Sequence, residues 1–437
     1  MNLPSTSGVH RGRSHFKGTS AKYHRENNVA AFTRMMRRNS DRNLGRLGFA
    51  SRAIQAAVLS IDVGRITVVL PSAERIEHTG TQAGPSASII IRKWRALRRL
   101  ATGGDLGFAE AYIDGDWTTP DLEAVLDLAA RNIDLIDEQI SGSWPMRLLN
   151  RIQHVLRANS RTGSRKNIAY HYDLGNAFYK EWLDASMTYS SALYTSPGLS
   201  LEEAQAAKID RVENLLRLTG GEHVLEIGCG WGALAERLGR ASARVSAITL
   251  SSEQLGFADR RIRLSGLQDT VKFELKDYRD VTETYDRIVS IEMLEAVGEE
   301  YWPVFFKTLH QRLRAGGFAV LQVISISESR FASYRGAADF IQRHVFPGGM
   351  LPTKTILNAQ ASRAGLRLAQ TEYFGMDYAT TLVEWRRRFL AAWPKIKALG
   401  YSDEFHRMWD YYLCYCAAGF KAQTIDVGLY VLEKPTD

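Results

Sequence analysis

The segment 224–232, which reads Val-Leu-Glu-Ile-Gly-Cys-Gly-Trp-Gly, constrains the fold of this chain more than any other. Its first four residues are apolar apart from Glu226, which predicts a buried parallel strand. Gly228, Gly230 and Gly232 follow, and 233–238 has the pattern of a helix. Glycine lets the backbone approach a ligand where a Cβ atom would collide. A strand, a glycine turn and a helix form one half of a nucleotide-binding crossover.

The spacing of these glycines favours one class of nucleotide over another. A dinucleotide site requires Gly-x-Gly-x-x-Gly and an open helix N-terminus for the pyrophosphate. Here an acidic residue precedes three glycines at alternate positions. That turn suits S-adenosylmethionine (SAM), a cationic nucleoside without phosphate. The alternative is a tight turn in some other α/β protein.

Strand-like and helix-like segments alternate from about residue 167 onward, which predicts an α/β fold. The predicted helices include 201–216, 253–265 and 301–313. The predicted strands are 222–227, 244–249, 271–275, 286–291 and 317–325. This order predicts a doubly wound, Rossmann-like parallel sheet with helices on both faces. Ligands of such sheets bind beyond the carboxyl ends of the strands, so we expect the chemistry there.

Polar residues follow the second and third of these strands. Thr249 and Gln254 are placed to meet a ribose, although Ser251 or Ser252 in the same segment could simply cap the next helix. Asp277 is placed to accept a hydrogen bond from an adenine amino group, and Tyr278 to stack on the ring. The alternative for 276–280 is a solvated loop.

Two carboxylates, those of Glu292 and Glu295, follow the fourth strand among apolar neighbours. Amino methyltransferases that act on nucleic-acid bases carry Asn/Asp-Pro-Pro-Tyr at this position, and this chain does not. One carboxylate there could be a structural cap. Two predict a catalytic role for at least one of them.

The net charge of +8 is concentrated at the N-terminus. Residues 1–50 hold ten Lys or Arg and two acidic residues, while the remaining 387 residues hold 46 of each sign. We expect 1–50 to be a largely disordered basic arm, either solvated or in contact with anionic lipid headgroups or nucleic acid. A small α+β domain is predicted at 51–150, with strands at 66–70 and 87–91. A linker follows at 151–170, and the main domain spans 171–437.

Three cysteines at poor spacing predict neither a disulfide framework nor a metal site, which fits a reducing cytoplasm. Cys414 and Cys416 are expected to pack in an aromatic helix. No window approaches the 18 or so apolar residues that span a bilayer, so any membrane role would be peripheral. The aromatic residues of the C-terminal third should mostly be core, with an excess that could line an apolar acyl pocket or stabilise a cation.

Six motifs in order resemble the cyclopropane-fatty-acyl-phospholipid synthases, a family that includes the mycolic acid cyclopropane synthases. The resemblance covers about 66–434. The motifs lie at 104–112, 171–176, 187–191, 226–232, 295–298 and 346–352. The segment 104–112 resembles part of the family's lipid-associated N-terminal domain.

The resemblance implies addition of a methylene group from SAM across a cis double bond of a phospholipid acyl chain. It also implies a bicarbonate ion as base, gripped by residues that match Glu295 and Tyr378, with Ser191 and Gln322 nearby. The expected SAM site consists of Tyr189, Ser190, Glu226, Gly228, Gly230, Thr249, Gln254, Asp277 and Tyr278. The expected partners are unsaturated phospholipid chains at the inner membrane surface, with no nucleic acid, and a homodimer is possible.

Departures from the family pattern leave the product open. Many members have cysteine in place of Ser191, histidine in place of Gln322, and Glu-His-Val-Gly in place of 295–298. Ser191 and Gln322 are still able to hydrogen-bond a bicarbonate. If the cationic intermediate loses a different proton, the product is a methyl-branched unsaturated chain instead of a ring. A small-molecule methyltransferase and a membrane- or nucleic-acid-binding protein with a decayed site are the more distant alternatives.

Overall fold

The computed structural model describes residues 55, 58–133, 135, 174–336 and 339–436, which include two β-sheets. The strands are β1 (Val63–Val69), β2 (Arg75–Thr79), β3 (Gln82–Ile91), β4 (Trp117–Thr118), β5 (His223–Ile227), β6 (Arg244–Thr249), β7 (Val271–Leu275), β8 (Tyr285–Ile291), β9 (Leu313–Ile326), β10 (Arg367–Tyr373) and β11 (Ile425–Glu433). The arm predicted at 1–50 and the linker predicted at 151–170 lie outside the described residues, so the predicted domain boundaries stay predictions.

The following helices lie between these strands in the chain. They are α1 (Arg95–Ile113), α2 (Leu122–Arg131), α3 (Gly175–Lys180), α4 (Leu201–Leu216), α5 (Ala233–Arg240), α6 (Ser252–Leu264), α7 (Trp302–Arg312), α8 (Glu328–Gly336), α9 (Phe340–His344), α10 (Lys354–Arg363), α11 (Gly375–Ala398) and α12 (Asp403–Lys421). None of the helices in the described ranges is long and apolar enough to cross a membrane.

The larger sheet has the strand order β10-β11-β9-β8-β5-β6-β7. Strands β5 to β9 pair in parallel, and β11 runs antiparallel to both of its neighbours. This confirms the predicted doubly wound, mostly parallel α/β fold. The strand order reverses at β5, because β6 lies on one side of it and β8 on the other. The glycine turn after β5 therefore stands at the topological switch point, where ligands of such sheets bind.

Two strands of this sheet, β10 and β11, were not predicted. Strand β10 lies at the sheet edge and is largely polar, so it lacks the apolar pattern of a buried strand. Strand β11 is a short apolar run, which periodicity alone cannot distinguish from a buried helix. Strand β9 also begins at Leu313, earlier than the predicted start at 317.

The smaller sheet has the order β2-β1-β3-β4, with β1 and β3 parallel. Strands β1 and β3 contain most of the predicted strands 66–70 and 87–91, whereas the polar hairpin strand β2 was not predicted. The Gly-rich stretch at 103–107 lies within a single helix, α1, that is kinked at Gly104 (φ 56°). Glycine makes this conformation accessible, so the chain bends there without ending the helix.

Helix α12 joins the smaller sheet to the larger one by contacting α1, α2, α11 and β11. On α12, the Asp410 carboxylate accepts a hydrogen bond from Arg386 of α11 at 2.6 Å and from the Tyr112 hydroxyl of α1 at 3.3 Å. Cys414 is buried in this helix, in agreement with the predicted packing role, whereas Cys416 is half-buried. The two sheets are thereby held around a shared interior.

Candidate active site

One cavity of about 940 Å³ lies between the carboxyl ends of the larger sheet and the apolar face of the smaller sheet. Its lining extends from Gly228 and Glu292 to Ile89 of β3 and Leu97 of α1. Ten of the predicted site residues line it: Tyr189, Ser190, Glu226, Gly228, Gly230, Thr249, Gln254, Tyr278, Glu295 and Tyr378. The structure therefore brings most of the predicted site together, while the roles of these residues stay predictions.

The glycine turn adopts left-handed backbone angles that favour glycine. Gly228, Gly230 and Gly232 have φ values of 84°, 52° and 83°. A Cβ atom on Gly228 would lie 3.1 Å from the Met293 side chain. At Gly230 a Cβ atom would meet no described heavy atom within 4 Å, and this residue lines the cavity. The turn thus brings bare backbone to the cavity wall, as a closely bound nucleoside requires.

Glu226 presents a buried carboxylate to the same region. Its Oε2 atom has no hydrogen-bond partner among the described residues. Burial raises the pKa of the Glu226 carboxyl to about 8, an effect that Lys208 opposes. A buried carboxyl oxygen without a protein partner is suited to a hydrogen bond with a polar group of a ligand, such as an amino or hydroxyl group. Glu226 therefore fits the SAM site that the glycine turn predicts.

The polar residues that follow β6 include the N-cap of helix α6 and two residues that line the cavity. Ser251 caps α6 by accepting a hydrogen bond from the Gln254 backbone N–H at 3.3 Å, which confirms the cap reading. The Thr249 hydroxyl donates to Gln254 Oε1 at 3.0 Å, and both residues line the cavity. Capping of α6 by Ser251 therefore leaves Thr249 and Gln254 at the cavity wall.

After β7, the two residues assigned to the adenine, Asp277 and Tyr278, have different environments. Asp277 accepts hydrogen bonds from Arg279 Nε at 2.8 Å and Nη2 at 2.6 Å, so both of its oxygens are engaged. Tyr278 lines the cavity, and its buried hydroxyl lacks a hydrogen-bond partner among the described residues. Any contact of Asp277 with an adenine amino group would have to share the carboxylate with Arg279.

Glu292, directly after β8, receives hydrogen bonds from three separate parts of the fold. Its Oε1 atom accepts from the Ser191 backbone N–H at 2.8 Å and from Gln322 Nε2 at 2.7 Å. Its Oε2 atom accepts from the Tyr378 hydroxyl at 2.6 Å. Three of the four predicted catalytic residues, Ser191, Gln322 and Tyr378, therefore donate hydrogen bonds to Glu292. From the sequence, Glu292 was expected only as one of two carboxylates of which at least one is catalytic.

Glu295, the fourth predicted catalytic residue, has a different environment. Its Oε1 atom accepts from the Ile324 backbone N–H at 2.5 Å, and Oε2 has no partner among the described residues. Burial, reinforced by the charge of Glu292, raises the pKa of the Glu295 carboxyl to about 8. Glu295 is therefore mostly protonated at neutral pH, and its hydroxyl would be a donor facing the cavity.

Ser191, in the segment that precedes α4, contacts Glu292 through its backbone and not through its side chain. The Ser191 hydroxyl donates to the Ala192 carbonyl at 2.9 Å, so only the main chain of Ser191 reaches Glu292. The hydroxyls of Tyr189 and Tyr412 share a hydrogen bond of 2.8 Å. The contact between Ser191 and Glu292 therefore does not use the side-chain atom in which serine differs from cysteine.

Lys208 of α4 was missed by the sequence analysis. Its ammonium is buried and donates to Ser190 Oγ at 2.7 Å, while burial lowers its pKa to about 8. The sequence did contain a signal for its burial, because Lys208 lies four residues after Ala204 and four before Val212 on the apolar face of α4. A cation on that face indicates an anionic environment in the interior.

Comparison with known proteins now identifies the family. A family model described as mycolic acid cyclopropane synthetase matches residues 159–429, more than half of the chain. The chain belongs to the mycolic acid cyclopropane synthetase family. It is therefore a SAM-dependent methyltransferase of the cyclopropane synthase type.

Relatives of this cyclopropane synthetase family member extend the match into its N-terminal part. Tuberculostearic acid methyltransferase UfaA1 of Mycobacterium tuberculosis is 37% identical over 363 residues, covering 81% of this chain and 85% of the relative. Cyclopropane-fatty-acyl-phospholipid synthase of Escherichia coli K12 is 34% identical over 351 residues, covering 80% and 88%. The crystal structure of mycolic acid cyclopropane synthase CmaA1 with SAH and CTAB aligns with a TM-score of 0.59 at 31% identity, covering 62% of this chain and 98% of that chain.

The glycine turn of this synthetase can be tested by a matched pair of variants. Gly230→Ala should raise the Kd for SAM at least about tenfold, because the new Cβ atom would project towards the bound nucleoside. Gly266→Ala introduces the same left-handed alanine (φ 68°) at an exposed turn and should leave the Kd unchanged. Isothermal titration calorimetry measures both. Equal Kd values for the two variants would contradict the assignment of the glycine turn to the SAM site.

The raised pKa of Glu295 predicts a pH-dependent stability. In the unfolded chain this carboxyl ionises near its ordinary pKa of 4.5, and in the folded protein near 8. The stability that the protonated group confers is therefore complete below about 4.5 and lost as pH rises to about 8. Glu295→Gln removes this titration, so the stability of the variant relative to the wild type should increase from pH 5 to pH 8 and then level off. Urea unfolding across this pH range measures the stability of both proteins. A difference in unfolding free energy that does not change with pH would contradict the raised pKa of Glu295.

Proposed function

We propose that this enzyme transfers the methyl carbon of SAM to a cis double bond of a phospholipid acyl chain and closes a cyclopropane ring. The observation that carries the proposal is the continuity of the cavity, which joins the glycine turn and the carboxylates to the apolar interior beside the smaller sheet. Its volume of about 940 Å³ lies at the upper end of the range for small-molecule sites. A long chain needs such a space, and a small polar acceptor does not.

The walls of this cavity suit a cationic intermediate. SAM, when bound, supplies an electrophilic methyl group, and attack by an alkene leaves a positive charge on the acyl chain. The aromatic residues Tyr378, Tyr412 and Phe420 line the cavity near Glu292. Their π faces stabilise a cation, and the nearby carboxylate adds electrostatic stabilisation in a site of low water content.

A second candidate is methyl branching of the same acyl chain. It is favoured by the relative UfaA1, named a tuberculostearic acid methyltransferase, which is 37% identical to this chain. Both reactions pass through the same cation and differ in which proton leaves and which bond then forms. The E. coli relative, named a cyclopropane-fatty-acyl-phospholipid synthase, supports ring closure and a phospholipid substrate.

We further propose that the enzyme works peripherally at an anionic membrane surface on the cytoplasmic side. The described part of the chain offers an exposed apolar group on the smaller sheet and the start of α1, in which Trp94 is 50% and Ile90 40% exposed. Arg92, Lys93 and Arg98, which are exposed, carry positive charge beside them. Amphipathic aromatic residues and lysine or arginine are the residues that anchor a protein in the headgroup region.

The product is decided by proton NMR of lipids recovered after the full-length enzyme has been incubated with SAM and vesicles of cis-unsaturated phosphatidylglycerol. Mass alone is insufficient, because a ring and a methyl branch formed with one retained double bond both add one CH₂. Upfield ring protons that replace the olefinic signal are the expected result. Retained olefinic protons with a new methyl or methylene signal would identify a branching enzyme. No change in the lipid would contradict both candidates and favour a small-molecule acceptor.

The membrane surface is tested by Trp94→Ala. Removal of the indole should weaken binding to anionic phosphatidylglycerol vesicles by about tenfold, since an apolar side chain that enters the interface is lost. Leu264→Ala provides the control, because Leu264 is 91% exposed on α6, outside the proposed surface. Vesicle co-sedimentation measures both variants at low salt. If Trp94→Ala binds as tightly as Leu264→Ala, the proposed surface is wrong.

A further inference from the structure

The carboxylate of Glu292 holds the position that a catalytic anion would need. It lines the cavity and accepts three hydrogen bonds, at 2.8 Å from Ser191 N, 2.7 Å from Gln322 Nε2 and 2.6 Å from Tyr378 Oη. Resting on the function proposed above, we infer that Glu292 is the base that takes the proton from the cationic intermediate. The enzyme then carries its base as part of the chain.

The residues present do not fit a bicarbonate ion as the base. The resemblance assigns Ser191, Gln322 and Tyr378 to the surroundings of that ion, but here all three donate to Glu292. A bicarbonate in the same place would have to take these donors from Glu292 and would put a second anion beside the Glu292 carboxylate. Two like charges in a site of low dielectric constant oppose each other strongly. Glu292 and bicarbonate are therefore alternatives, and the geometry favours Glu292.

The backbone of Glu292 supports a functional role. Its φ is +49°, in the left-handed region that residues other than glycine rarely adopt. The conformation is held by the Glu292 backbone N–H, which donates to the Gln322 carbonyl of β9 at 2.8 Å. Unfavourable backbone conformations persist where the surrounding structure enforces them, and they concentrate at functional sites. Here the strained residue is Glu292, which lines the cavity and whose carboxylate receives the three hydrogen bonds.

The electrostatics of the site favour Glu292 over Glu295 as the proton acceptor. Burial raises the pKa of Glu295 to about 8, so at neutral pH most of that carboxyl already carries a proton and only the minor ionised fraction is free to accept one. Burial also raises the pKa of Glu292, but its three donors and the charge of Lys208 oppose that effect and stabilise the ionised form. Of the two carboxylates, Glu292 is the one with the stabilised negative charge.

The reaction balances without any further reactant. The π electron pair of the alkene forms a bond to the methyl carbon of SAM, while the C–S bond breaks and its electron pair stays on sulfur. The acyl chain now carries the positive charge. Glu292 takes one proton from the added methyl group, and the C–H electron pair forms the second C–C bond of the ring. Glu292 then loses this proton to solvent before the next turnover.

The first test is Glu292→Gln in the full-length protein. The amide is similar in size and cannot take the proton, so turnover of unsaturated phosphatidylglycerol should fall at least about 100-fold, the usual contribution of a general base. The Kd for SAM should change little. Glu300→Gln, an exposed residue eight positions later, is the matched control and should retain wild-type turnover. Wild-type turnover in Glu292→Gln would overturn the inference.

Chemical rescue distinguishes a base in the chain from a diffusible one. Glu292→Gly suits the left-handed backbone and frees the Ser191, Gln322 and Tyr378 donors. Added bicarbonate or formate should restore turnover to Glu292→Gly, and CO₂-free buffer should leave the wild type unaffected. Loss of wild-type turnover in CO₂-free buffer would overturn the inference.

A binding measurement separates this inference from the proposed function. Carbon-13 NMR of labelled bicarbonate should show binding to Glu292→Gly and none to the wild type. This readout decides whether the Glu292 carboxylate fills the anion position even if the wild type fails to methylate phospholipid. Failure of the wild type on lipid would reject the proposed function, whereas bicarbonate binding to the wild type would reject the role of Glu292.

Discussion

Burial of negative charge is the constraint on which this site depends. Glu226, Glu292 and Glu295 all lie at the carboxyl ends of β5 and β8, which are neighbouring strands, in an interior of low polarity. Three ionised carboxylates could not be accommodated there together. The fold resolves the conflict by two means. Glu226 and Glu295 have pKa values raised to about 8 and are mostly neutral at pH 7, whereas Glu292 receives three donors and the field of Lys208.

The same hydrogen bonds connect distant parts of the chain. Ser191 precedes α4, Gln322 lies in the centre of β9, and Tyr378 is in the first turn of α11. Each position is packed by other interactions, so the carboxylate meets donors that are already oriented. A preorganised set of donors stabilises charge without having to rearrange during the reaction. Stability of the core and stability of the charged site are therefore linked through Glu292.

The sequence predicted the parts of this site that depend on local pattern. The glycine turn, the strand ends and the residues after them are local signals, and ten of the predicted residues line one cavity. Local pattern could not predict the hydrogen-bond partners of Glu292. Ser191, Gln322 and Tyr378 are 101, 30 and 86 positions away from it and meet it only through strand register and helix packing. The resemblance directed attention to Glu295 instead, the residue in the shared motif. Strand β11 was missed because periodicity alone cannot distinguish its apolar run from a buried helix.

Attachment of the base to the chain has a consequence for the product. A diffusible ion can adjust its position to the substrate, but a carboxylate on a short side chain with three hydrogen bonds cannot. The proton that leaves is then the one that the acyl chain presents to Glu292. Ring closure requires a proton of the added methyl group at that point, and a branched product requires either a different proton or prior migration of the positive charge along the chain. The choice between the two products therefore depends on how the walls formed by β1, β3 and α12 hold the acyl chain, more than on the identity of the base.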